Sequence, residues 1–145
     1  MSSIATSLSA QSAPRPFNWT RLSILGPATP LVAVLANALV YFMGSAVVAY
    51  DSEFLPLATV GGTVVMTVAP AIAAVLVYAV LRRLTRHAVL IFTALSVVVF
   101  AVSLLPVFTY IPTVPGWTPT QSAMLVVLHI VAASVIVRLL TLSHR

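Results

Sequence analysis

Cysteine and lysine are both absent from this chain, and only two side chains, Asp51 and Glu53, are acidic. Without cysteine there are no disulfides, thiolate metal sites, iron–sulfur clusters or cysteine nucleophiles. Without lysine, the basic charge is carried by seven arginines, and the formal net charge is +5. Charged residues make up 6% of the 145 and hydrophobic residues 61%, whereas a soluble domain has about 25% and about 45–50%. Such a chain folds in a bilayer, and its length suits one domain.

The few charges divide the sequence. Uncharged runs of 29, 28 and 50 residues separate Arg21 from Asp51, Glu53 from Arg82, and His87 from Arg138, apart from His129 within the last. At about 20 residues per span these runs hold one, one and two helices. The longest is divided by Pro106, Pro112, Pro115, Gly116 and Pro119, a density that predicts a loop over 106–120. Thr29–Pro30 and Thr118–Pro119, the second followed by Gln121, read as helix starts with a capping residue and proline at the first position. The expectation is an all-α four-helix transmembrane bundle with spans at about 30–50, 56–81, 88–105 and 119–142. None of the runs alternates as the strands of an outer-membrane barrel do.

Four spans place Arg15, Arg21, Arg82, Arg83, Arg86, Arg138 and Arg145 on one side and Asp51 and Glu53 on the other. The positive-inside rule then puts both termini in the cytoplasm; three spans would scatter the arginines over both faces. Residues 1–21, rich in Ser and Ala with Arg15 and no acid, have a composition that targeting segments share. The apolar stretch that follows exceeds the about 7–15 residues of a secretory signal core. It reads as a retained first span behind a flexible cytoplasmic tail, with Phe17 and Trp19 as interfacial anchors.

Polar residues inside the spans are the candidates for function. Asn37 and His129 both fall near the middle of their helices, and an interhelical hydrogen bond between them would be worth about 0.6–2 kcal/mol. His129 reads either as a proton relay or ligand, or as a neutral imidazole that fixes packing. A haem or a metal site would need further ligands at its depth, and no cofactor is expected. Ala33, Asn37 and Gly44 share one stripe of the first helix, so Asn37 should face protein. Pro70, mid-way along the second helix, is a candidate kink with Thr63 and Thr67 nearby, and Gly61, Gly62, Ala69, Ala73 and Ala74 offer close approach. Ser96 and Ser103 should bond to their own helix. Arg82, Arg83 and Arg86 form a basic edge whose natural partners are anionic lipid head groups, at about 1 kcal/mol each, with no need of nucleic acid.

The segments ANALVYF, VSLLPVF and MLVVLHIVAA, which contain Asn37, Ser103, Pro106 and His129, resemble those of a bacterial family of small four-helix membrane proteins. That family carries only a domain-of-unknown-function label. The resemblance runs from about Arg21 onward. It implies no activity, and it points to a shared role for Asn37 and His129. The leading expectation is a non-enzymatic accessory, structural or oligomerising subunit of a bacterial inner membrane. The alternative is a small oligomeric transporter or channel that uses the Asn37 and His129 pair. A lipid-modifying enzyme would need a nucleophile or metal that the sequence does not supply.

Overall fold

The computed structural model describes residues 19–142, and among these there is no strand. Four long helices, α1 (Trp19–Ser45), α3 (Val60–Leu84), α4 (Ala88–Thr109) and α5 (Pro119–Leu142), are joined by a short helix α2 (Leu55–Ala58) and a 3₁₀ turn (Ile111–Thr113). Each long helix is long and apolar enough to cross a membrane. In hydrocarbon, a helix is the one open-ended element that pairs its own backbone groups. The tail expected over 1–21 falls outside the described residues up to 18, and its last three residues already belong to α1.

Proline interrupts these helices less than the sequence suggests. Helix α1 runs through Pro27 and Pro30, so Thr29 is not its cap. Thr29 is buried, and its hydroxyl donates to Leu25 O at 2.7 Å. In a bilayer, breaking the helix would expose more backbone than the carbonyls each proline leaves unpaired. For the same reason α3 continues through Pro70, whose ring is exposed, and α4 continues through Pro106 to Thr109. The expected loop over 106–120 therefore shrinks to the segment between Thr109 and Pro119.

Other boundaries move for identifiable reasons. Helix α1 ends at Ser45 and not Tyr50, because Tyr50 turns back onto it, donating to Tyr41 O at 3.0 Å with its ring 4.9 Å from that of Tyr41. Helix α3 begins at Val60 and not Pro56. Extended Thr59 separates it from α2 and caps it, accepting from the Gly62 amide at 3.4 Å. At the start of α5 the Thr118 hydroxyl accepts from the Gln121 amide at 3.3 Å, as the sequence suggests. The Gln121 side chain, however, reaches Ala49 O at 3.3 Å and does not complete a capping box.

Helix α1 packs against both α3 and α5, while α4 lies on the flank of α3 and α5. The interior consists of two apolar clusters. One, at the end holding the C-termini of α3 and α5, gathers Ala33, Ala71, Tyr78, Phe92, Ile136 and Leu140. The other, at the opposite end, gathers Tyr41, Phe54, Leu57, Val107, Met124, Leu125 and Leu128, with Ile111, Val114 and Trp117 packed against it. The connection after α4 thus folds back as a cap over that end. Gly116 seals the cap with φ 71°, a conformation costly for other residues. A Cβ there would lie 2.9 Å from Asp51 Cγ and 3.0 Å from Phe54 N. Gly116→Ala is expected to lower stability by about 1–3 kcal/mol, measured by thermal unfolding in detergent, with Gly61→Ala, where a Cβ has room, as the milder control.

Candidate functional site

Between the two apolar clusters lies a polar layer. Asn37 is 3% exposed, on the stripe of α1 that also buries Ala33, Tyr41 and Gly44, as its spacing predicts. Opposite it, α3 turns Thr63, Thr67, Ala71 and Tyr78 inward. Asn37 Nδ2 donates to Thr67 Oγ1 at 2.9 Å, and the Thr67 hydroxyl donates in turn to Thr63 O at 2.7 Å. Of the small residues on α3, Ala71 is the one buried; Ala69 and Ala73 face outward. The Thr67 hydroxyl, which the sequence placed near Pro70, donates to Thr63 O. The spacing of four from Thr63 to Thr67, shared by Ala71, was the available signal.

His129 does not join this layer. Its ring is half-buried on α5, and Nδ1 lies 2.8 Å from Leu125 O, one turn back on the same helix. A carbonyl only accepts, so Nδ1 is the donor in this contact. Asn37 and His129 therefore have separate hydrogen-bond partners, Thr67 Oγ1 for the first and Leu125 O for the second. A threonine hydroxyl both accepts and donates, which lets it extend the chain of bonds to the Thr63 carbonyl.

The remaining candidates are distributed elsewhere. Ser96 and Ser103 donate to Phe92 O and Phe100 O, both at 2.7 Å, as expected of serines in a span. No group of three or more His, Asp or Glu able to hold a metal occurs among the described residues. Arg82 is half-buried and Arg83 and Arg86 are exposed at the C-terminal end of α3, where positive charge suits the helix dipole. An apolar groove of about 300 Å³ runs between the end of α4 and the start of α5, lined by Val107, Phe108, Trp117, Ser122 and Val126, and it includes neither Asn37 nor His129.

At the capped end, the Tyr41 hydroxyl donates to Leu57 O at 2.9 Å and ties α2 to α1. Gly44 leaves room there for the Met124 side chain and the Tyr50 hydroxyl, both of which a Cβ would meet. Burial pushes the Tyr50 phenol above its ordinary value of 10.0, and the neighbouring Tyr41 adds by repulsion.

Residues 17–145 match the family described as "Family of unknown function (DUF6069)". The chain belongs to this family. The match spans all four long helices and both midplane candidates. No curated protein and no solved structure matches the chain.

Asn37→Leu is expected to cost about 0.6–2 kcal/mol, and His129→Leu, which removes a bond within one helix, less than about 0.5 kcal/mol; reversible unfolding in mixed micelles measures both. Because folding raises the Tyr50 value, its contribution is complete below about pH 10 and is lost as pH rises through the folded value. Melting temperature should therefore fall above pH 10, less steeply in Tyr50→Phe.

Proposed function

We propose that the chain is a non-enzymatic subunit of a bacterial inner membrane, acting as an accessory or oligomerising component. The observation that supports this reading is the hydrogen bond from Asn37 to Thr67. It places the deepest polar side chain of α1 at a helix–helix contact, where it holds two spans together. A transporter built on Asn37 and His129 needs both side chains on one water-filled path, and their separate partners favour the structural role.

Both termini are assigned to the cytoplasm, on the grounds that Arg82, Arg83, Arg86 and Arg138 cluster at one end of the bundle and Asp51 and Glu53 at the other. The arginine edge then meets anionic head groups of the inner leaflet, at about 1 kcal/mol per residue. Helix α4, with 11% of its span buried against 28% for α5, has the largest surface left to lipid or to a membrane partner.

The natural absence of cysteine makes orientation directly testable. Ser52→Cys is expected to react with a membrane-impermeant maleimide on intact spheroplasts, and His87→Cys only after permeabilisation; the reverse pattern inverts the assignment. For function, proteoliposomes loaded with a pH-sensitive dye are expected to leak no faster than empty liposomes. A proton flux that His129→Ala or Asn37→Ala abolished, with folding intact, would overturn the subunit reading.

A further inference from the structure

The apolar groove between the end of α4 and the start of α5 takes no part in the polar layer. Phe108 belongs to the last turn of α4, Ser122, Ala123 and Val126 to the first two turns of α5, and Trp117 of the connecting segment completes the wall. From Pro119 to Val126 the groove follows α5 for about 10 Å, and it encloses about 300 Å³. Spread over that length, the volume leaves about 30 Å² in cross-section, far too little for a helix, which is about 10–12 Å across with its side chains. Phe108 and Ala123 are exposed, so the groove opens to the surroundings of the bundle.

Its walls are almost entirely carbon. The Ser122 hydroxyl is already engaged, accepting from Trp117 Nε1 at 2.7 Å. Water in such a place would lack the two to four polar partners it needs, whereas a flexible hydrocarbon chain meets apolar contacts along the whole length. The charges at the open end are arranged in order. Pro119, the first residue of α5, lines the groove, which therefore starts at the end of the helix dipole that favours negative charge. Gly116, next to Trp117, lies against Asp51, so closely that a Cβ there would be 2.9 Å from Asp51 Cγ. Asp51 and Glu53 are exposed and are the two acidic residues of the chain. Arg82, Arg83, Arg86 and Arg138 all lie at the opposite end of the bundle.

We infer that the α4/α5 groove binds one acyl chain of a phospholipid whose head group carries an ammonium. The phosphate rests over the start of α5, and the ammonium turns toward Asp51. A head group with the phosphate alone would face Asp51 and Glu53 with no compensating positive charge. The preference is thus opposite in sign to that of the arginine edge, and the two ends of the bundle select different lipids. This site is independent of whether the protein is a subunit or a transporter.

Quenching of Trp117 fluorescence by brominated lipids tests it on the full chain. Trp19→Phe leaves Trp117 as the one tryptophan. The protein is reconstituted in phosphatidylcholine bilayers containing phosphatidylethanolamine or phosphatidylglycerol, each brominated on the upper part of the acyl chain and compared at equal mole fraction. The ratio of the two apparent association constants is the readout. Phosphatidylethanolamine is expected to bind about five-fold more tightly. Asp51→Asn, which keeps the oxygen that accepts from the Glu53 amide, should bring the ratio toward one. Ala123→Phe fills the groove from an exposed position and should abolish the preference while Asp51 remains. Equal quenching by the two lipids in the parent protein overturns the head-group assignment, as does a preference that survives Asp51→Asn. A ratio unchanged by Ala123→Phe means loose contact with surrounding lipid only, and overturns the groove.

Discussion

The hydrogen bond from Asn37 to Thr67 fixes where α1 lies along α3, and much of the bundle takes its register from it. In an antiparallel pair, that contact puts Ala33 level with Ala71 and Tyr41 level with Thr63. Two small residues therefore meet on one side of the bond, where backbones can approach closely. On the other side Tyr41 projects toward the loop, and its hydroxyl finds Leu57 O. Hydrophobic burial cannot set this register, because lipid is as apolar as the helix faces. The rise of one mismatched residue would separate Asn37 from its partner. The same bond marks the division between the two apolar clusters, each of which draws residues from all four long helices or their connections.

The number and order of the spans were legible in the sequence because charge is so scarce. Nine formal charges in 145 residues leave only a few places for a chain to turn, and helix is the only regular element that suits the intervening runs. The stripe of Ala33, Asn37 and Gly44 was legible too, since burial on a helix follows its period. Proline misled in both directions. Pro30 and Pro106 read as a start and a stop, yet both lie inside helices. Proline costs a helix one hydrogen bond and a clash with the preceding turn, whereas ending the helix in hydrocarbon would leave a whole turn of backbone groups unpaired.

The partner of Asn37 was not legible, and the reason is geometric. Depth alone made His129 and Thr67 comparable candidates, but depth says nothing about which face of a neighbouring helix is presented. Packing decides it. Gly44 admits Met124, which with Leu125 and Leu128 places the buried face of α5 against α1, and His129 falls to one side of that face. A histidine one turn beyond an available carbonyl then closes on its own helix. Gln121 shows the converse, since a residue expected to serve its own helix end instead crosses to the Ala49 carbonyl.

The packing of α1 against α5 joins two of these helices that lie far apart in the chain. Ribosomal synthesis delivers α1 and α3 early, and their mutual hydrogen bond is available as soon as both are in the membrane. The face of α1 that receives Met124, by contrast, lacks this neighbour until α5 is made. In a bilayer, docking of α5 would exchange acyl chains on that face for protein side chains. A chain truncated before Pro119 retains three helices able to span the membrane and lacks the one that closes them together.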